Sequence, residues 1–167
     1  HTDCAEATNG AVAPGHPPSR QYLPVHLGCP NFPMNNITSI EFAEWGDGRG
    51  MGNCSSPDRL KTGTCAFDLQ AQVAKLCVGQ PRCTVMCGYT YSRTYGYSPG
   101  VSSPNSGCVI TTGADGPAPF FRGASFVPFP GPHYDPCYGK PGFSSGYLSL
   151  RLAHKCGQSH GTIFRVK

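Results

Sequence analysis

HYDPCYGKPGFSSGYLSLRLAHKC, residues 133–156, is the stretch on which the fold turns. A cysteine sits behind Asp-Pro, a Gly/Ser-rich loop follows, and then Leu148, Leu150 and Leu152 alternate with Tyr147, Ser149 and Arg151. A period of two with all leucines on one side predicts a strand over residues 147–153 with its leucine face on a core. Cys156 closes that strand. The loop between the two cysteines is either a plain turn between staples or a segment held open for a ligand.

Working outward, the cysteines set the class. The chain has 167 residues, enough for one domain, and ten cysteines. No CxxC pair occurs, and the closest spacings are Cys83/Cys87 and Cys77/Cys83. Zinc sites favour short paired spacings, so the even count reads as disulfides and as a secreted or cell-surface setting. Two N-glycosylation sequons agree, Asn36-Ile37-Thr38 and Asn53-Cys54-Ser55. The second is the weaker, because its middle residue is expected in a bridge. No apolar run approaches the ~20 residues that a membrane helix needs. The opening HTDC has neither a basic nor an apolar leader segment. The expectation is a chain without a membrane span, mature or excised from something longer.

Charge excludes another class. The net charge is +4, but charged residues make up only 13% and the basic ones form no stripe. Tyr89, Tyr91, Arg93, Tyr95 and Tyr97 interleave as a base-stacking surface would. Without a basic track for a phosphate backbone, a nucleic-acid partner is not expected.

Along the chain, residues 1–20 are Gly/Pro/Ala-rich and read as irregular apart from the anchor Cys4. QYLPVHL, residues 21–27, is a short strand whose Pro24 suits a sheet edge. ITSIEFAEW, residues 37–45, sets Ile40, Phe42 and Glu44 against Ser39, Glu41 and Ala43, a half-buried strand. GDGRGMG, residues 46–52, is a loop by its glycine content. One helix is legible over residues 68–77. Asp68 is its expected N-cap, Leu69, Val73, Leu76 and Cys77 form one apolar face, and VGQP ends it. Residues 88–132 are rich in Gly, Pro, Ser and Tyr and read as a long inserted loop, whose most strand-like piece is Cys108-Val109-Ile110-Thr111-Thr112.

Three motifs carry a resemblance: Cys77-Val-Gly-Gln-Pro-Arg-Cys83-Thr-Val85, Asp135-Pro136-Cys137-Tyr-Gly139, and Tyr147-Leu148-Ser-Leu150 running to Cys156. Upstream, Cys4, LPVHLGCP with Cys29, Ala43-Glu44-Trp45-Gly46, Cys54 and Cys65 follow in order. With these the chain resembles the galactose/rhamnose-binding lectin domain of sea-urchin-egg-lectin type, found also at the outer end of latrophilin receptors. The resemblance implies an α+β fold: a small disulfide-rich domain of antiparallel β-sheet, with one principal helix near 68–77 and a long inserted loop. It implies a single lectin-like domain over 1–156 with its insertion at 88–132, and a tail or linker over 157–167. Ten cysteines permit hundreds of pairings by count alone. The family pattern implies Cys4 with Cys54, Cys29 with Cys156, Cys65 with Cys137 and Cys77 with Cys83. Cys87 and Cys108 have no family counterpart and are left for each other.

In that family a glutamate after the first cysteine, a polar strand residue and the Asp-Pro-Cys loop hold the sugar hydroxyls. Carried over, these roles fall on Glu6, Tyr89, Asp135, Gly139 and Lys140. The match is partial. Ala5 directly follows Cys4, Tyr89 stands for an asparagine, Asp47 for an arginine, and Gly146 for the lysine before Tyr-Leu. Each residue has a plainer reading beside the functional one. Asp135 can cap its own loop, Glu6 can be merely solvated, Trp45 can be core instead of a sugar-stacking ring, and the tyrosines of 89–97 can cover the sheet.

Six histidines, His1, His16, His26, His133, His154 and His160, lack metal-ligand spacing, so neither metal nor cofactor is expected. No nucleophile elbow or placed carboxylate pair occurs, so no enzymatic activity is expected. Two classes remain. One is an extracellular carbohydrate-binding module for galactose/rhamnose-type or related glycans and glycoproteins. The other is a structural or adhesion module that contacts other extracellular protein subunits through the same fold without binding sugar.

Overall fold

The computed structural model describes residues 2–9, 24–30, 35–47, 52, 54, 60–94, 96–99, 106–112, 124–131, 133, 135–140 and 148–158. Nine strands and one helix follow in the order β1 (Thr2–Asn9), β2 (Val25–Gly28), β3 (Asn35–Gly46), β4 (Ala66–Asp68), α1 (Gln70–Cys77), β5 (Arg82–Ser92), β6 (Gly96–Pro99), β7 (Ser106–Thr111), β8 (Ser125–Pro128) and β9 (Leu148–Gln158). They build two antiparallel sheets. The first has the order β1-β9-β3-β4, and the second the order β2-β5-β7-β8 with β6 also paired to β5. The domain is mostly sheet, with a single short helix among the described residues.

The leucine strand lies at the centre of the first sheet. Leu148, Leu150 and Leu152 are all buried, and each contributes about 1.5–3 kcal/mol by leaving water. Leu150 stands opposite Trp45 and Leu152 opposite Ala43 on β3. From the second sheet, Val85, Val109 and Ile110 join the same core. Phe129, just past β8, closes the gap between the sheets. Its ring stacks on Trp45 at 6.1 Å and meets Phe67 of β4 at 4.9 Å. Trp45 is therefore a core residue.

β3 departs from simple alternation for a backbone reason. Its register against β9 shifts between Ile37 and Ser39 and again between Ile40 and Phe42. Each extra residue turns the strand over, so Ile37, Ile40, Ala43 and Trp45 are buried in the core. The expected pairing of Phe42 and Glu44 with Ile40 on one face is corrected accordingly. Glu44 and Phe42 share the opposite face with Arg151.

The helix packs along β3 and completes its edge. Ile37 N–H donates to Gln80 O and Gly79 N–H to Ile37 O, both at 2.8 Å. Gln70 Nε2 donates to Ile40 O at 2.8 Å, and Leu69 N–H to Ala43 O at 2.9 Å. An open strand edge would leave these groups available to another chain. The helix begins one turn position later than expected: Leu69 is the N-cap, and Asp68 accepts from Gln70 N–H at 2.9 Å from one residue further out.

Three other expectations are corrected. Residues 2–9, read as irregular, form edge strand β1, paired over eight positions with β9. The stretch 88–132, read as an inserted loop, supplies the end of β5 and all of β6, β7 and β8. β7 is buried along its whole length between β5 and β8. This segment thus supplies three of the second sheet's five strands and the end of a fourth. β9 also runs through Gly157 to Gln158, past the expected boundary at 156, whereas residues 159–167 lie outside the described ones.

The five disulfides are Cys4–Cys54, Cys29–Cys156, Cys65–Cys137, Cys77–Cys83 and Cys87–Cys108; the first four are the pairs that the resemblance implies, the fifth joins the two cysteines left over, and among the described residues no cysteine is free. Cys87 and Cys108 are direct cross-strand partners of β5 and β7.

Candidate functional site

The turn after Asp135 is over-determined by its own backbone. Tyr138 N–H donates to Asp135 O at 3.1 Å and Lys140 N–H to Cys137 O at 3.0 Å, two successive tight turns. Gly139 adopts φ +77°, a conformation that other residues adopt at a cost. The Asp135 carboxylate points inward. Its Oδ1 accepts from Cys137 N–H at 2.8 Å, and the residue is buried. Asp135 N–H in turn donates to His133 Nδ1 at 3.0 Å.

That last bond fixes the imidazole. Nδ1 must carry its lone pair, so the neutral ring bears its proton on Nε2. Partial burial holds the His133 pKa below its ordinary value, opposed by the nearby Asp135 charge. The ring lies flat on Tyr138, with centroids 4.0 Å apart and planes 6° apart. Tyr138 itself is 63% exposed, the most open large hydrophobic residue described. Lys140 is exposed beside it and forms no ion pair among the described residues.

The turn is tied to the first sheet through Cys65, just before β4. Cys65 and Cys137 are both buried, and Cys65 O accepts from Asp47 N–H at 3.2 Å. Gly46 is needed at this crossing, because a Cβ there would lie 2.5 Å from Cys65 O. Ser149 Oγ donates to Gly46 O at 3.2 Å and links the start of β9 to the same point.

Beside this anchor, the outer face of the first sheet carries a charged row. Glu6 on β1 and Glu44 on β3 both stand opposite Arg151 on β9. Arg151 Nη2 bonds Glu44 Oε1 at 2.8 Å and Lys61 O at 3.0 Å, and Nη1 bonds Gly52 O at 3.1 Å. Gly63 N–H adds a bond to Glu44 Oε1 at 2.8 Å. The guanidinium also lies 5.0 Å from the Phe42 ring centroid. Together these bonds hold Gly52, Lys61 and Gly63 onto the sheet.

Of the residues carried over from the resemblance, Asp135, Gly139 and Lys140 share the one turn. Glu6 is exposed on the far edge strand, where its Oε2 accepts from Cys54 N–H at 3.2 Å. From β1 to β4, where the turn is tethered, is three strand spacings, about 14 Å. Tyr89 is corrected: it lies on β5 in the other sheet, 3% exposed within the core, and burial raises its phenol pKa. It offers no ring face to a ligand. Asn36 lies at the start of β3, whereas Asn53 lies outside the described residues.

Sequence reasoning missed His133, Tyr138 and the Arg151–Glu44 pair. The first two flank Asp-Pro-Cys in the quoted stretch, and an aromatic directly after that cysteine was the available signal. Two groups of three metal-ligand types come together, Cys29/His154/Cys156 and Asp47/Cys65/Cys137. In each the cysteines are joined to one another, so neither group has a thiolate to give.

No protein-family model matches the chain, and no curated protein and no solved structure matches it significantly. What the fold and site define is a class, a small two-sheet domain stapled by five disulfides. None of its described helices is long and apolar enough to cross a membrane.

Proposed function

We propose that this chain is an extracellular, non-catalytic carbohydrate-binding module of lectin type, taking galactose/rhamnose-type or related glycans on glycoproteins. The observation that carries this reading is the Asp135–Lys140 turn, braced from beneath and open above. A rigid exposed Tyr138 ring suits the apolar face of a sugar, and Lys140 beside it suits hydroxyl oxygens. Five disulfides fit the oxidising compartment in which such modules work. One such turn binds weakly, so useful avidity comes from repetition in a larger assembly.

A second reading has its own support. The Asp135 carboxylate is engaged within its turn, Glu6 is engaged with Cys54, and Tyr89 is buried. These engagements favour a structural or adhesion module that meets protein partners instead of sugars.

An NMR titration of the oxidised chain with rhamnose, galactose and their oligomers separates the two. Saturable shifts centred on Tyr138 and Lys140, removed by Tyr138→Ala in a chain that stays folded, support the lectin reading. A folded wild-type chain with no shifts transfers the weight to the adhesion reading.

A further inference from the structure

The two glycosylation sequons differ in when their native partners become available. Asn36 opens β3, and its cross-strand partner is Gly157 on β9. Thr38, the hydroxyl residue of the same sequon, donates to Lys155 O at 3.1 Å, again on β9. The adjoining bridge Cys29–Cys156 spans a sequence separation of 127. Everything that pairs with Asn36 and Thr38 from β9 is therefore synthesised much later, Lys155 117 residues after Thr38. At ~5–20 residues per second, β9 follows Asn36 on the order of ten seconds later. Until then none of the described strands pairs with the acceptor.

The other sequon has the opposite order. Its middle residue, Cys54, pairs with Cys4, which precedes it by 50 residues and is already made. That bridge can close as soon as Cys54 emerges. Once closed, it holds the residue between acceptor and hydroxyl in a cross-link.

In the finished fold Asn36 is half-buried at the start of β3. Ile37 points into the core, so Asn36 faces outward, and its partner is a glycine with no side chain to occupy that face. A Cβ at Gly157 would come within 3.0 Å of Thr38 Cγ2. Asn36 stands at one end of β3 and Gly46, beside the Asp135 turn, at the other, about 30 Å away along the strand.

From this we propose that Asn36 carries an N-linked glycan and that Asn53 is kept largely unmodified by early closure of Cys4–Cys54. The glycan stands on the outer face of the first sheet, at the end away from the Asp135 turn, and leaves that turn open. The inference does not depend on sugar binding by the turn.

The test is site occupancy of the full chain expressed through a eukaryotic secretory pathway, read by glycosidase release in heavy-oxygen water and peptide mapping. Asn36 is expected to be occupied in most molecules and Asn53 in few. Because Thr38 and Ser55 also differ as acceptor residues, the deciding arm is the double variant Cys4→Ser/Cys54→Ser, which keeps an Asn-X-Ser sequon. Asn53 occupancy is expected to rise several-fold there, with Asn36 unchanged. The same rise is expected for wild-type chain pulse-labelled with dithiothreitol in the medium, read on cell-associated protein so that folding of the variant is not required. An unmodified Asn36, equal occupancy of both sites in the wild type, or no rise at Asn53 in either arm overturns the proposal.

Discussion

Arg151 and Glu44 form a buried ion pair on the outer face of the first sheet, Nη2 to Oε1 at 2.8 Å, with both side chains almost fully enclosed. Arg151→Ala strands a carboxylate in a site built for a cation, and the expected loss is about 3–5 kcal/mol. Replacing both partners by methionine is expected to recover much of that loss, because two buried charges leave together. Urea unfolding of the single and double variants measures both. A single variant within about 1 kcal/mol of wild type would show that the pair does not brace Gly52, Lys61 and Gly63 against the sheet.

Asp135 acts first on its own turn. Asp135→Ala removes the acceptor of the buried Cys137 N–H, and the expected destabilisation is about 1–3 kcal/mol. Asp135→Asn, which keeps an oxygen at that position, is expected to lose less. Thermal unfolding of the three proteins gives the comparison. Equal losses in Ala and Asn would mean that the charge matters more than the hydrogen bond.

His133 makes the turn sensitive to acid. Its pKa is depressed in the fold, so the unfolded chain binds the proton more readily. The stability it contributes is fully present above its ordinary value of 6.5 and is lost as pH falls through the depressed folded value. Protonation at Nδ1 also removes the acceptor of Asp135 N–H. Imidazole chemical shifts against pH are expected to give a midpoint below 6.5 in the native protein. His133→Gln is expected to flatten the pH dependence of stability in that range, and a midpoint above 6.5 would reverse the sign.

The disulfides are expected to differ by loop length. In the chain-entropy account, Cys29–Cys156, separated by 127 residues, contributes roughly 5 kcal/mol, and Cys77–Cys83, separated by 6, roughly 2 kcal/mol. Paired Cys→Ser variants compared by denaturant midpoint test the order. A larger loss from the short loop would point to native packing around α1, and not to chain entropy, as the main contribution.

Legibility in the sequence followed the range of the interactions. The leucine strand and helix α1 are local patterns, a period of two and an apolar face at helical spacing, and both appear close to where the residues indicate. The turn at Asp135 was marked by Asp-Pro-Cys and glycine, residues whose backbone preferences are local too. β1 was not legible as a sheet member, because TDCAEATN has no alternating apolar face, and β7 showed only as the most strand-like piece of a presumed loop, because SGCVIT sits among glycines, serines and prolines. Both owe their strand state to partners far along the chain, β9 for one and β5 and β8 for the other.

By itself, then, the sequence determined the class: an even set of cysteines, one helix, a core strand of leucines and a tight turn behind a cysteine, all set by residue chemistry within a few positions. Only the tertiary structure decided which faces those elements present. Two register shifts in β3 exchanged Phe42 for Ala43 at the core and placed Glu44 against Arg151. Pairing in the second sheet buried Tyr89. Tyr138 was stacked on His133 through one face and yet left largely exposed. Bulges, buried ion pairs and exposure depend on what lies across the strand, and neighbours in space are not written in neighbouring letters.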